Sequence, residues 1–321
     1  MNPIDRARAG LATDGARPAV AVLGAGTIGA GWAAFFALSG LEVRVADPAP
    51  QAKAQVQAAL ERALPAMHAL GLLAANPAMP QVMPDIAGAV AGAGHIQEAL
   101  PENLELKHRA YREVEAAADP RAILASSSSG LQPSALQAGM RHPERLVVAH
   151  PNNPPYLMPL VEIVGGRLTS GQALAETEAF YQGLGKKTVR LRKEVTGHLV
   201  NRLQAALWRE AVHLVAEGYA SVADVDRTIT EGLGARWAVC GPHEIFHLSG
   251  GPEGMAGFLD RLGPALESWW ADLGSPVLDA RTRALLVEGM AEATRGKSYA
   301  ELAAERDRRV IPVLAASKAG E

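Results

Sequence analysis

A short apolar run, Ala19 to Leu23, passes directly into Gly24-Ala25-Gly26-Thr27-Ile28-Gly29, and no other stretch restricts the fold so tightly. A G-x-G-x-x-G at the point where a buried strand becomes a helix uses each glycine for a separate steric reason. Gly24 permits the tight turn, Gly26 lets the backbone approach a pyrophosphate, and Gly29 lets the helix pack on the strand. The free N–H groups that begin the helix, at Thr27 and Ile28, face the phosphates at its positive dipole end. That helix is expected to run to Ser39 and stop at Gly40. The next strand, Glu42 to Ala46, leads to Asp47, which lies 23 residues after Gly24. A carboxylate there accepts hydrogen bonds from the ribose hydroxyls of NAD, whereas the 2′-phosphate of NADP requires a cation. Pro48, Ala49 and Pro50 follow instead, so the expected cofactor is NAD.

Strand and helix patterns continue to alternate beyond that loop. Residues 51 to 80 look helical, broken at Gly71 and Pro77. The segment from His95 leads through a turn into a helix that begins near Asn103. Ala122 to Ala125 reads as a strand entering Ser126-Ser127-Ser128-Ser129-Gly130, a hydroxyl-rich loop at the carboxyl edge where α/β sheets bind ligands. From residue 195 onward the apolar period is helical throughout. Thr196 is the expected N-cap of a helix with an apolar stripe at Leu199, Leu203, Leu207, Ala211 and Leu214. Ser221 with Asp224, and Ser298 with Glu301, open two more helices, and Pro312 is expected to kink or end the last. The length of 321 residues favours two cores. The expected fold class is therefore α/β, a Rossmann-type doubly wound dinucleotide-binding domain over 18–194, followed by an all-α domain over 195–321. Residues 1–17 contain no apolar h-region and are expected to be a flexible leader.

Leu146 to Ile163 holds His150 at the end of one apolar run and Glu162 in the next, separated by a Pro/Asn-rich turn. A carboxylate on a neighbouring strand can fix a histidine tautomer and balance its charge when protonated. A satisfied histidine and a solvated glutamate would give the same pattern, and the two residues alone do not separate these readings.

Composition excludes more than it assigns. A net charge of −3 gives no reason to expect nucleic acid or a membrane surface as partner. The single cysteine, Cys240, rules out an internal disulfide and fits a cytoplasmic setting. His243-Glu244-Ile245-Phe246-His247 satisfies H-E-x-x-H, but a zinc peptidase has no use for a dinucleotide fingerprint, and no metal is expected.

Six blocks occur in one order: GAGTIGAGW at 24–32, Asp47, PENLELK at 101–107, SSSSGLQPS at 126–134, HPNNPPYLMPLVE at 150–162 and GHLVNRLQAALWREA at 197–211. In these the chain resembles the NAD-dependent L-3-hydroxyacyl-CoA dehydrogenase family, nearest its branch acting on free hydroxy acids such as gulonate and carnitine. The resemblance implies that His150 is the catalytic base and Glu162 its orienting carboxylate. It implies that Ser129 and Asn201 contact the reacting oxygen, and that Glu102 and Lys107 lie near the nicotinamide ribose. It also implies a homodimer formed through the helical half.

Coenzyme A needs cations for its phosphates, yet residues 54 to 84 offer only Arg62. Arg236 stands where the free-acid branch has an arginine, and a guanidinium can hold a carboxylate in a bidentate fork. Asn153 and Tyr156 in the turn, and Trp237, complete the expected substrate contacts. The expected activity is oxidation of the C3 hydroxyl of a small free L-3-hydroxy acid. A short-chain 3-hydroxyacyl-CoA dehydrogenase is one alternative, and a structural or NAD-sensing protein on a dehydrogenase scaffold is another.

Overall fold

A computed structural model describes residues 19–319, so the leader expected over residues 1–17 lies outside it. The chain divides into two compact units, with the boundary between Arg202 and Leu203. The first is built on eight strands: β1 (Ala19–Leu23), β2 (Glu42–Ala46), β3 (Gln81–Met83), β4 (His95–Glu98), β5 (Ile123–Ser126), β6 (Leu146–Pro151), β7 (Leu160–Gly165) and β8 (Lys187–Arg190). Their order in the sheet is β3-β2-β1-β4-β5-β6-β7-β8. The pairings are parallel except between β6 and β7. Chain order reverses between β1 and β4, which puts the Gly24 loop at the switch point where doubly wound sheets bind ligands.

Alternation along the strands builds two apolar layers. On one face Ala21, Leu23, Ile96, Leu124 and Val148 pack with Tyr111 and Val114 of the helix Leu104–Ala117. A second layer joins the helix Thr27–Leu38 to the helix Gly171–Gly183. Trp32 stacks on Phe36 at 5.1 Å, Phe36 meets Phe180 at 5.7 Å, and Trp32 meets Tyr181 at 5.4 Å. The helix Thr27–Leu38 is buried from Gly29 to its end, which explains why its sequence is apolar on every side.

Three expectations shift. The helical stretch expected over 51–80 is a helix only over Ala52–Ala69, ending at the turn that Gly71 makes with φ of 65°. Thr196 caps nothing; the helix begins at Val200, and the carboxylate of Glu162 accepts the Leu199 and Val200 amides in place of a local cap. That tie holds the start of the helix to β7, and the break between the two units falls after Arg202. Pro312 lies inside the helix Tyr299–Ala319 without ending it.

The second unit contains helices and, among the described residues, no strand. Ser221 caps Val222–Arg227, which continues as a π-helical segment, Thr228–Leu233, and then as Gly234–Trp237. Pro242–Ser249, Gly254–Asp272, Ala280–Thr294 and Tyr299–Ala319 follow. Among the described residues no helix is long and apolar enough to cross a membrane.

Candidate active site

The loop after β1 has the steric properties that a dinucleotide needs. Gly24 has φ of 95°, and a Cβ there would stand 2.8 Å from the Ala99 carbonyl oxygen; at Gly29 a Cβ would come within 1.9 Å of the Gly24 oxygen. Only glycine fits either position. Gly26 is exposed and a Cβ there would meet nothing within 4 Å, so its outer side is open to a phosphate, beside the exposed Thr27 and partly exposed Ile28. Asp47 fixes this loop, accepting from the Ala25 amide at 2.7 Å and from the Ala49 amide at 2.8 Å. Beside Asp47 a cavity of about 310 Å³ is lined by the apolar Leu23, Ala46, Pro48, Ile86, Leu100 and Leu106 together with the charged Asp85, Arg109 and Glu113, and its apolar part offers surface for an adenine ring. These residues fit NAD.

The antiparallel pair β6 and β7 has a register that sets His150 directly opposite Glu162. His150 Nδ1 lies 2.8 Å from Glu162 Oε2, with both side chains buried. Burial raises the Glu162 pKa. The His150 hydrogen bond and the Val200 and Leu199 amides outweigh this and hold the carboxyl below its ordinary value. An ionised carboxylate only accepts, so Nδ1 carries the hydrogen and Nε2 presents a lone pair. Ser129 Oγ lies 3.0 Å from that Nε2. Asn201 sits on the first turn of the helix that Glu162 caps, half-buried.

Glu102 and Lys107 are each tied into the protein by contacts of their own. Glu102 Oε1 accepts from the Ser129 and Gly130 amides, each at 2.7 Å, and so shapes the loop that carries Ser129. Burial raises its pKa, but the Gly130 amide and the charge of Lys107 bring it below the usual value. Lys107 is buried, and its ammonium donates to Glu98 Oε1 at 2.6 Å and to the Leu100 carbonyl at 3.1 Å. The same ammonium stands 3.6 Å from Glu102 Oε2, so its charge is shared between the two carboxylates. The buried Glu98, which sequence reasoning missed, also accepts from Tyr111 Oη at 2.8 Å, Ser126 Oγ at 2.6 Å and the Leu100 amide at 2.6 Å. A signal existed: Lys107 and Tyr111, four apart on a helix, share one face turned toward a carboxylate at a strand end.

In the turn between β6 and β7, Asn153 is exposed whereas Tyr156 is buried. The turn packs against the helix Thr27–Leu38, where a Cβ on Gly31 would come within 2.8 Å of Pro155. The buried ammonium of Lys186 also braces it, donating to the Pro155 carbonyl and to the Met158 carbonyl at 2.9 Å. Arg236 and Trp237 lie in the second unit, both exposed. His243 and His247 share the helix Pro242–Ser249, but His247 Nδ1 accepts from the Met255 amide at 3.1 Å. Among the described residues no three His, Cys, Asp or Glu side chains converge as a metal site.

A glycine loop at the switch point, an acidic residue closing it, and a buried His–Glu pair farther along the same sheet define an NAD-dependent oxidoreductase that acts on a CH–OH group. Residues 19–195 match the family model described as 3-hydroxyacyl-CoA dehydrogenase, NAD binding domain. Residues 197–294 match the one described as 3-hydroxyacyl-CoA dehydrogenase, C-terminal domain. The chain belongs to this family. It is 47% identical over 299 residues to an L-carnitine dehydrogenase of Streptomyces coelicolor, covering 93% of this chain and 94% of that one. With an L-carnitine dehydrogenase of Oceanobacillus iheyensis it shares 42% over 296 residues, covering 92% and 96%. Among solved structures it resembles an NAD⁺-dependent dismutase, 5-formyl-3-hydroxy-2-methylpyridine 4-carboxylic acid 5-dehydrogenase, with a TM-score of 0.79 and 30% identity over 93% of this chain and 97% of that one. Mycobacterium tuberculosis FadB2 follows at a TM-score of 0.62 and 29% identity, covering 87% and 95%.

Proposed function

We propose that the chain oxidises the C3 hydroxyl of a small free L-3-hydroxy acid to the 3-keto acid, and that L-carnitine is the first substrate to test. The observation that carries the reading is the His150 Nε2 lone pair, held by Glu162 behind it and by Ser129 beside it. Bound NAD supplies the hydride acceptor. His150 takes the hydroxyl proton as the C–H bond is lost, and Glu162 balances the imidazolium that forms. Ser129 and Asn201 hold the substrate oxygen as it changes from alcohol to carbonyl.

Two lines support a free acid over a thioester. Between residues 54 and 84 the only Lys or Arg is Arg62, too few for the phosphates of coenzyme A. Arg236 is exposed and makes no ion pair among the described residues, which leaves its guanidinium available for a carboxylate. The relatives named for L-carnitine match nearly the whole chain at 42 to 47% identity. For a trimethylammonium group, the exposed face of Trp237 offers a cation–π surface.

The reading includes a homodimer formed through the second unit, on the strength of exposed apolar side chains such as Leu203, Trp269 and Trp270. With one cysteine, Cys240, it is also a cytoplasmic enzyme. The test follows NADH formation with L-carnitine, L-gulonate, other free 3-hydroxy acids and (S)-3-hydroxybutyryl-CoA. A free acid, L-carnitine first, is expected to give the highest kcat/KM; a clear preference for the thioester would overturn the reading.

A further inference from the structure

His198 has no part in the chemistry described so far, yet it touches both arms of it. Its ring is buried, at 1% exposure, and sits in a left-handed turn with φ of 51° that follows Gly197 at 78°. A residue other than glycine in that region is strained unless its surroundings hold it. What holds it here is a hydrogen bond from Nε2 to the Ser128 carbonyl at 2.9 Å. A carbonyl can only accept, so Nε2 carries the hydrogen and Nδ1 is bare.

The two residues after His198 present their amides to Glu162 Oε1, at 2.7 Å from Leu199 and 3.0 Å from Val200. The residue after Ser128 is Ser129, whose hydroxyl contacts His150. The rings of His198 and His150 lie 5.1 Å apart. One side chain therefore connects the loop carrying Ser129 to the turn that grips Glu162, and both lead to His150.

We propose that His198 is a positioning residue, a neutral imidazole that holds Ser129 and Glu162 in register on the two nitrogens of His150. The inference rests on the function proposed above. Neutrality matters because His150 becomes a cation in each turnover, and a second cation beside it would oppose that charge. Nδ1 has no hydrogen-bond partner among the described residues, so a proton placed there would be buried without an acceptor. Burial lowers the His198 pKa and the neighbouring His150 lowers it further, against the opposing pull of the Ser128 bond and of Glu162 and Glu102.

His198→Gln and His198→Phe separate positioning from packing. Glutamine can place an N–H where Nε2 stands and restore the donor to Ser128, whereas phenylalanine fills the space without it. Phenylalanine is expected to lower kcat roughly ten- to a hundredfold, as small misplacements of catalytic groups do, with NADH binding followed by fluorescence unchanged. KM for the hydroxy acid is expected to change far less than kcat, because the groups displaced act on the reacting atoms. Glutamine is expected to recover kcat.

A His198→Phe protein with the parent's kcat would overturn the inference, and so would His198→Gln no better than His198→Phe. If the phenylalanine protein does not fold, His198→Asn, whose amide falls short of Ser128, takes its place in the comparison. His150→Gln run alongside keeps the two hypotheses apart. Activity surviving in it removes the proposed function, whereas its loss together with a normal His198→Phe removes only the role of His198.

Discussion

At the scale of single residues, the site depends on which nitrogen of His150 carries the hydrogen. Glu162 decides this, since Oε2 accepts from Nδ1 while Oε1 accepts the two amides that begin the next helix. Glutamine at 162 would keep its carbonyl oxygen on those amides and turn an NH₂ toward Nδ1. The favoured tautomer would then reverse, putting the hydrogen on Nε2, where no alcohol proton can be taken. Glu162→Gln is thus expected to lower kcat by on the order of 10² to 10⁴ while the protein stays folded. Glu162→Ala also strands two amides and is expected to cost about 1–3 kcal/mol of stability in urea melts. His150→Gln removes the base itself and is expected to lose a comparable factor in kcat with NADH binding kept. A Glu162→Gln enzyme within a fewfold of the parent would show that the carboxylate does not set the tautomer.

At the scale of elements, β4 explains both what the sequence disclosed and what it withheld. The strands β1 and β2, with the glycine loop after the first and Asp47 after the second, follow from local rules: apolar runs, compulsory glycines and a fixed spacing. The His150–Glu162 pairing is one of two readings open to its stretch of sequence, and the antiparallel register of β6 and β7 decides between them. In β4 itself, His95-Ile96-Gln97-Glu98, polar side chains face both buried layers. Gln97 and His95 meet Tyr181, while Glu98 meets Lys107, Tyr111 and Ser126. These partners are distant in sequence, and no local pattern announces them. The same limit hid His198, whose bond to Ser128 spans 70 positions.

Burial pushes the His95 pKa down to about 3, against the pull of Gln97. The unfolded chain therefore takes up a proton near pH 6.5 that the native chain refuses, and stability falls as pH drops from about 6.5 toward 3. His198 contributes with the same sign, whereas Glu162 and Glu102 act only below the ordinary carboxylate range. His95→Gln, which cannot titrate, is expected to flatten the urea stability curve between pH 6.5 and 4.5 by a few kcal/mol, at roughly 1.4 kcal/mol for each pH unit. A slope unchanged from the parent would mean that His95 does not stay neutral in the folded chain.

At the scale of the whole molecule, the two units differ in how they satisfy their apolar residues. The first encloses its aromatic side chains in two layers beside the sheet. In the second, the buried hydrophobic side chains among the described residues are Val212, Val222 and Phe258, while Leu203, Trp208, Trp269 and Trp270 stay 52 to 67% exposed. An amphipathic stripe at helical spacing, which the sequence displays from Leu199 to Leu214, marks a face that must be covered. The sequence could locate that face but not its cover, because periodicity carries no information about the identity of a partner. A second copy supplies the same stripe and the same tryptophans, which suits the self-complementary patch of a two-fold dimer. An interface built this way belongs with the large apolar ones, on the order of 2,000 Å² or more, whose subunits do not separate at working concentrations. Light scattering at low micromolar concentration is expected to return twice the chain mass. Trp269→Glu combined with Trp270→Glu would bury four charges across such an interface, and is expected to yield monomers with a lower melting temperature. A parent protein that is monomeric at every concentration and fully active would leave these side chains without the partner that their exposure calls for.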